Sequence, residues 1–239
     1  MKKLSIIIPV YNEEKTIPFV LDKIEKVFLI NKIEKEIILV NDASKDNSKW
    51  VIERYIKEHK NMNIQFYEHK ENQWKGAALH TWIKNAKWEY IIIQDADLEY
   101  DPQEYNLLLK PMEDWFADVV YWSRFMWWNP HRILFFWHSR WNKFLTFFSN
   151  MFSNLNLTDM ETCYKLFRAD IIKNIPLKEN RFWFEPEVTQ KLSRNKSIRI
   201  YEVWISYYWR TYEEWKKIWW RDGFRAIYCI LKYWLFKAK

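Results

Sequence analysis

The sequence predicts an α/β protein with a mostly parallel sheet covered by helices on both faces. Three observations carry this expectation. Short apolar runs alternate with segments whose apolar residues recur at helical spacing through the first half of the chain. The runs are nearly continuous in apolar character, as strands buried on both faces must be. No internal repeat, low-complexity tract or Gly/Ser linker interrupts the 239 residues, which read as one continuous domain.

Leu4–Val10 is the first strand. It follows Met1-Lys2-Lys3, but it is too short for a signal peptide, contains Pro9 and meets Tyr11-Asn12-Glu13-Glu14 without a small-residue cleavage site. Glu14–Phe28 is read as a helix on the spacing of Ile17, Leu21, Ile24 and Phe28. Glu36–Val40 is the next strand and Asn47–His59 the next helix. Asn63–Glu68 and Ala77–Ala86 repeat the pair. Tyr90–Gln94 is a fourth strand ending at Asp95-Ala96-Asp97. Pro102–Trp115 is helical, with proline in its first turn, and Val119–Ser123 is another strand. Beyond it, Phe144, Phe147, Phe148, Met151, Phe152 and Leu155 share one helical face. Pro186–Arg194 reads as a short helix and Ser197–Tyr208 as one or two strands. Residues 213–239 form a basic, aromatic, helical segment following a domain of residues 1–212.

Composition narrows the function. A chain 49% hydrophobic and 29% charged is globular, which excludes disordered and collagen-like classes. Cys163 and Cys229 supply neither a disulfide framework nor zinc spacing and fit a reducing compartment. The net charge of +7 favours anionic partners such as phosphorylated ligands or acidic lipid surfaces. A nucleic-acid-binding module is the remote alternative; the dispersed charge and the lack of an RNP-like aromatic motif argue against it. No apolar stretch reaches the roughly 18 residues of a membrane span.

Three motifs end predicted strands: Ile8-Pro9-Val10-Tyr11-Asn12-Glu13, Val40-Asn41-Asp42-Ala43-Ser44-Lys45-Asp46-Asn47-Ser48 and Gln94-Asp95-Ala96-Asp97-Leu98-Glu99. Singly, each has an ordinary explanation as a turn or helix cap. Together they fall on one edge of a parallel sheet, where such folds bind ligands.

Here the chain resembles glycosyltransferase family 2, inverting enzymes of the Rossmann-like GT-A fold, and within it the dolichyl- and polyprenyl-phosphate sugar synthases. The resemblance extends to Asn72-Gln73-Trp74-Lys75-Gly76-Ala77-Ala78, Ser123-Arg124, Thr158-Asp159-Met160-Glu161-Thr162-Cys163-Tyr164-Lys165 and Phe182-Trp183-Phe184-Glu185-Pro186-Glu187. Asn41 and Ala43 depart from the usual Asp and Gly, and the Gln-x-x-Arg-Trp signature of processive synthases is absent. The resemblance implies a nucleotide-sugar-binding half at residues 1–124 and an acceptor half at 125–212. It also implies transfer of a hexose from a UDP- or GDP-sugar to polyprenyl phosphate. The alternative is a saccharide acceptor in cell-envelope glycan synthesis.

A nucleotide sugar leaves as a diphosphate whose charge a hard divalent cation can neutralise. Asp95 and Asp97, two residues apart on leaving a strand, point to one side. The resemblance makes them the ligands of Mg2+ or Mn2+, with Asp97 the stronger metal candidate and Gln94 or Glu99 adjacent. It places Pro9, Tyr11, Glu13 and Asp42 in the nucleoside pocket, Asp42 reading the base, and Lys75 in the donor loop. Arg124 and Arg210 match phosphate-clamping positions best, ahead of Arg132, Arg140 and Arg168. Asp159, then Glu187, is the expected acceptor-side carboxylate. A phosphate acceptor, already largely dianionic at neutral pH, needs a strong base less than a sugar hydroxyl does. The Phe-rich face and the 224–236 segment suit an interfacial helix, so the expected location is cytoplasmic, peripheral on the inner face of the cytoplasmic membrane.

Two counts are abnormal. Average usage would give roughly 17 glycines; the chain has 2 glycines and 17 tryptophans. Trp74, Trp122, Trp127, Trp128, Trp141, Trp183, Trp209, Trp215 and Trp219 fall where the resembled family carries glycine, with Trp82, Trp88 and Trp204 as further members. A UGA codon that encodes glycine, rendered as tryptophan, accounts for both counts. The competing explanation is a genuine aromatic surplus for lipid or base stacking.

Overall fold

The computed structural model describes residues 2–86, 88–124, 136–181, 183–204 and 220–236. Seven strands form one sheet in the order β3-β2-β1-β4-β6-β5-β7. They are β1 (Lys3–Val10), β2 (Glu34–Asn41), β3 (Ile64–Glu68), β4 (Tyr90–Ile93), β5 (Val119–Ser123), β6 (Lys165–Arg168) and β7 (Ile200–Trp204). Helices α1 (Ile17–Lys26), α2 (Ser48–Glu58), α3 (Trp74–Asn85) and α4 (Tyr105–Glu113) occupy the first half. Helices α5 (Phe136–Ser153), α6 (Ala169–Lys173), α7 (Phe184–Leu192) and α8 (Trp220–Leu235) occupy the second.

The expected mixture of elements is present, and the sheet is mostly parallel. β1 pairs in parallel with β2 and β4, β2 with β3, and β5 with β7. The exception is β6, antiparallel to both β4 and β5. No periodicity announces it, because the strand is four residues long. Its reversal has a large consequence: the segment entering β6 lies at the same edge as the carboxyl ends of the parallel strands.

Successive strand residues feed opposite layers. Leu4, Ile6 and Ile8 of β1 pack with Ile17, Val20, Leu21 and Ile24 of α1 and Leu108, Leu109 and Met112 of α4. Ile7, Ile38, Ile91 and Phe167 pack on the other face with Leu79 and Ile83 of α3, Val188 and Leu192 of α7 and Ile230 of α8. Both faces are dry, which is why the strands read as continuous apolar runs.

Helix α1 is shorter than its apolar spacing suggests. Glu13 accepts the Thr16 hydroxyl at 2.7 Å and its carbonyl accepts the Thr16 and Ile17 amides, so residues 13–16 form the entering turn. Lys35 closes the other end by donating to the carbonyls of Ile24, Glu25 and Val27 at 2.5–2.9 Å, satisfying groups a helix terminus leaves open.

Helix α5 is inverted relative to an ordinary core helix. Its buried side carries Asn142, Thr146, Ser149 and Ser153 beside Leu145, while Trp137, Phe144, Phe147 and Met151 are exposed. Gln190 of α7 donates to the Ser149 carbonyl and hydroxyl at 3.2 and 3.1 Å, and Thr146 accepts the Met160 amide at 3.2 Å. The aromatic face expected in one piece is therefore split: Phe148, Phe152 and Leu155 turn toward the core and the rest face outward. Gly223 of α8 lies where a Cβ would approach the Trp141 ring to 2.6 Å.

The tryptophans leave marks. Trp74 and Trp115 hold φ of 71° and 61°, and Ala43 holds 56°, in the left-handed region that favours glycine. The indole N–H groups of Trp82, Trp88 and Trp183 are buried without an acceptor among the described residues, each a loss of about 1–3 kcal/mol. Trp122, by contrast, is fully buried and meets Tyr100 edge-on at 4.7 Å. Trp127, Trp128, Trp209, Trp215 and Trp219 lie outside the described residues. Trp115→Gly and Ala43→Gly are each expected to stabilise the chain by about 0.5–1 kcal/mol through relief of left-handed strain. Thermal unfolding would then shift upward by roughly 2–4 °C per kcal/mol; a fall in midpoint for both would refute the strain argument.

Candidate active site

The carboxyl edge of the sheet is assembled from loops after β1, β2, β4 and β5 together with the segment that enters the reversed β6. The first two loops are zipped together. Asn12, at φ 56°, accepts the Lys45 amide at 2.8 Å and donates its own amide to the Ser44 hydroxyl at 3.0 Å. Glu13 donates its amide to Ser48 at 2.9 Å, and Glu14 exchanges bonds with the loop through Asp46 and the Asn47 amide. Pro9 and Tyr11 are partly exposed on this lip, and Glu13 is buried in it.

Asp42 follows β2 and is 3% exposed. Its Oδ1 accepts the Gln73 amide at 2.9 Å and meets His69 Nδ1 at 2.8 Å. Sequence reading overlooked His69; its signal was its position at the carboxyl end of a parallel strand.

Past β4, Asp95 and Asp97 are both partly exposed at the edge. Lys75, in the first turn of α3, forms an ion pair with Asp95. Burial opposes the Lys75 charge, but Asp95, then Cys163 and Glu185, hold its pKa well above the ordinary value. Asp97 Oδ1 accepts the Glu99 amide at 3.2 Å. Gln94 is fully buried, accepting from Tyr105 Oη at 2.9 Å and donating to the Asp95 carbonyl at 3.0 Å, so it braces Asp95 from beneath. Among the described residues no group of three or more His, Cys, Asp or Glu side chains is arranged to hold a metal by itself.

Close backbone approach shapes the Lys75 loop. A Cβ on Gly76 would lie 2.4 Å from the Glu179 carbonyl oxygen, so only glycine lets α3 start against residues 179–180. That opposing loop is held by Glu187, fully buried, which accepts the Lys178 and Glu179 amides at 2.8–3.0 Å and pairs with Lys191 at 2.5 Å. Arg181 stacks over the Trp74 ring at 3.6 Å.

Arg124, just after β5, grips Asp159. Nε and one terminal nitrogen reach the two carboxylate oxygens at 2.6 and 2.8 Å, and the Arg124 amide adds a third bond at 3.2 Å. Asp159 is fully buried. Glu202 of β7 fixes the backbone beside it, accepting the Thr158 and Asp159 amides at 3.0–3.1 Å. Glu161, two residues on, has its pKa raised to about 8 by burial and then by the nearby Glu185 charge. Its Oε1 is buried without a hydrogen bond among the described residues.

The structure thus brings Asp42, Lys75, Asp95, Asp97, Arg124 and Asp159 to one edge, with Glu187 supporting the loop behind Lys75. Arg168 instead pairs with Asp118 and Asp170. Arg140 lies over Phe136. Arg132 and Arg210 lie outside the described residues.

Two measurements test these electrostatics. Truncating Asp159 to Ala strands a buried guanidinium and is expected to destabilise by about 3–5 kcal/mol in chemical denaturation; a loss below about 1 kcal/mol would contradict the pairing. Glu161, raised to about 8 from 4.5, keeps its proton only in the folded chain between those values. Its contribution to stability is full below pH 4.5 and declines as pH rises toward 8. Glu161→Gln should flatten that decline, so unchanged slopes in the two proteins would refute the shift.

Comparison with known proteins identifies the family. The family model for glycosyl transferase family 2 matches residues 5–175. The chain is 34% identical over 109 residues to a dolichyl-phosphate beta-glucosyltransferase of Dictyostelium discoideum, covering 43% of this chain and 33% of that one. It is 33% identical over 120 residues to the undecaprenyl-phosphate 4-deoxy-4-formamido-L-arabinose transferase of Proteus mirabilis, covering 50% and 36%. The alignments therefore span about a third of these relatives' own length. Among solved structures, glucosyl-3-phosphoglycerate synthase from Mycobacterium tuberculosis, crystallised with Mn2+, UDP and glucosyl-3-phosphoglycerate, superposes with a TM-score of 0.71 at 14% identity, covering 100% of this chain and 82% of that one. With the family match spanning most of the chain and the sheet sharing the GT-A architecture, the protein belongs to glycosyltransferase family 2.

Proposed function

We propose that this glycosyltransferase moves a hexose, with inversion, from a UDP- or GDP-sugar to the phosphate of a polyprenyl lipid. One observation carries the reading. Asp95 and Asp97 leave β4 beside Lys75, at the edge where Asp42 and the Arg124–Asp159 pair also converge. A nucleoside, a diphosphate and an acceptor each then have a recognising group. The Dictyostelium and Proteus relatives, named for lipid-phosphate acceptors, support the acceptor class.

Asp95 and Asp97 would hold Mg2+ or Mn2+. Two carboxylates without a preassembled protein cage suit a cation that completes its shell with phosphate and water. The ion supplies charge neutralisation at the departing diphosphate. Lys75, held charged at Asp95, offers its ammonium to the same phosphates. Asp159 holds the Arg124 guanidinium in place, so its carboxylate acts on the acceptor side through that arginine's charge. A dianionic phosphate acceptor is already a nucleophile, and a cationic surround attracts it without removing a proton. Glu187 positions the loop that confines Lys75.

The outward aromatics of α5 and α8 (Trp137, Phe147 and Phe224) and Phe236 just beyond α8, with Arg140, Lys143 and Arg225 among them, are the proposed contact with an anionic membrane surface. Among the described residues no helix is long and apolar enough to cross a membrane.

Incubation with radiolabelled UDP-glucose or GDP-mannose, polyprenyl phosphate and Mg2+ or Mn2+ tests the assignment. Label is expected in the lipid fraction, and Asp97→Asn should lower turnover at least about 100-fold. Label reaching only oligosaccharide would move the acceptor to the saccharide class, and full activity of Asp97→Asn would dismiss the metal role. Sedimentation with anionic vesicles should carry the chain down, and Trp137→Glu with Phe147→Glu should release it.

A further inference from the structure

Asp42 is buried, yet its two oxygens are treated differently. Oδ1 takes both available donors, the Gln73 amide at 2.9 Å and the His69 ring nitrogen Nδ1 at 2.8 Å. Its backbone carbonyl accepts from Asn72 Nδ2 at 3.3 Å. Among the described residues no hydrogen bond reaches Oδ2. A carboxylate has no proton to offer, so His69 Nδ1–H is the donor. His69 is itself well fixed. Its amide donates to the Asn41 carbonyl at 2.9 Å, extending the β2–β3 ladder, and its side chain is 11% exposed beside an Asp42 side chain that is 5% exposed.

We infer that His69 is a positioning residue for nucleobase selection. By holding Oδ1 it fixes the carboxylate plane and presents Oδ2 as a lone acceptor. The base that fits carries a ring N–H on its pairing edge, as uracil does at N3 and guanine at N1. Cytosine and adenine present a lone pair at those atoms, which would face the carboxylate acceptor to acceptor and leave both groups desolvated and unpaired. The inference rests on the proposal that Asp42 lies in the nucleoside pocket. It goes further by naming the side chain that fixes the base-reading carboxylate.

Calorimetric titration of the full chain with UDP, GDP, CDP and ADP, each with Mg2+, tests it. The variants are His69→Phe, which keeps a ring without the donor, His69→Asn, which keeps a donor, and Asp42→Ala. Wild type should prefer UDP or GDP over CDP and ADP. His69→Phe should weaken the preferred nucleotide about tenfold while leaving CDP and ADP unchanged, and His69→Asn should recover most of the loss. In turnover assays His69→Phe should raise KM for the donor and leave kcat at saturation unchanged. Equal loss for all four nucleotides, or no loss, overturns the inference. If Asp42→Ala changes no nucleotide's affinity, the pocket assignment itself falls. If Asp42→Ala abolishes the preference while His69→Phe retains it, only the role of His69 falls.

Discussion

The bidentate contact between Arg124 and Asp159 is the interaction on which the rest of this edge depends. It joins the carboxyl end of β5 to the segment entering the reversed β6, with both partners removed from water. A buried carboxylate without that guanidinium would be untenable, and the guanidinium without the carboxylate equally so. The pair therefore fixes where residues 158–165 run, and Glu202 and Lys165 add backbone anchors to the same segment. Lys165 is itself fully buried, and burial pulls its pKa below the ordinary lysine value.

A second constraint acts through backbone proximity. Glu187 gathers two amides of the 178–179 loop, that loop presses on Gly76, and Gly76 sets the start of α3 from which Lys75 reaches Asp95. The position of the Lys75–Asp95 pair is thus set by a glycine and by a buried carboxylate that holds the facing loop. Neither of the two aspartates stands alone in the edge: Lys75 pairs with Asp95, and Asp97 caps the Glu99 amide. On the proposed reading, Lys75 would be shared between Asp95 and the phosphates of the donor.

The tryptophans divide into two groups on physical grounds. Trp122 is packed among Tyr100 and Tyr164 with nothing amiss. Trp74 and Trp115 sit on backbone that an indole-bearing residue adopts only with strain, and Trp82, Trp88 and Trp183 bury a donor without an acceptor among the described residues. Gly76 and Gly223, the two glycines, both occupy places where a side chain would collide. Trp74 and Trp183, with Trp82 and Trp88 as further members, are among the positions where the resembled family carries glycine; Trp115 is not.

The sequence by itself determined the parallel half of the sheet, its helices and the three strand-end motifs. Those depend on local patterns: apolar runs buried on both faces, helical spacing, and polar residues where a strand must stop. Strand ends in a parallel sheet converge whatever the details, which put the motifs holding Asp42, Asp95 and Asp97 at one edge, whereas Lys75 and Arg124 were expected there only from the family resemblance. Only the tertiary structure decided that β6 runs backward, that Asp159 faces Arg124 and Glu187 faces a loop, that α5 buries its polar side, and that His69 meets Asp42. Each of these follows from pairing between segments far apart in the chain, where register and burial, rather than residue type or spacing, choose the partner.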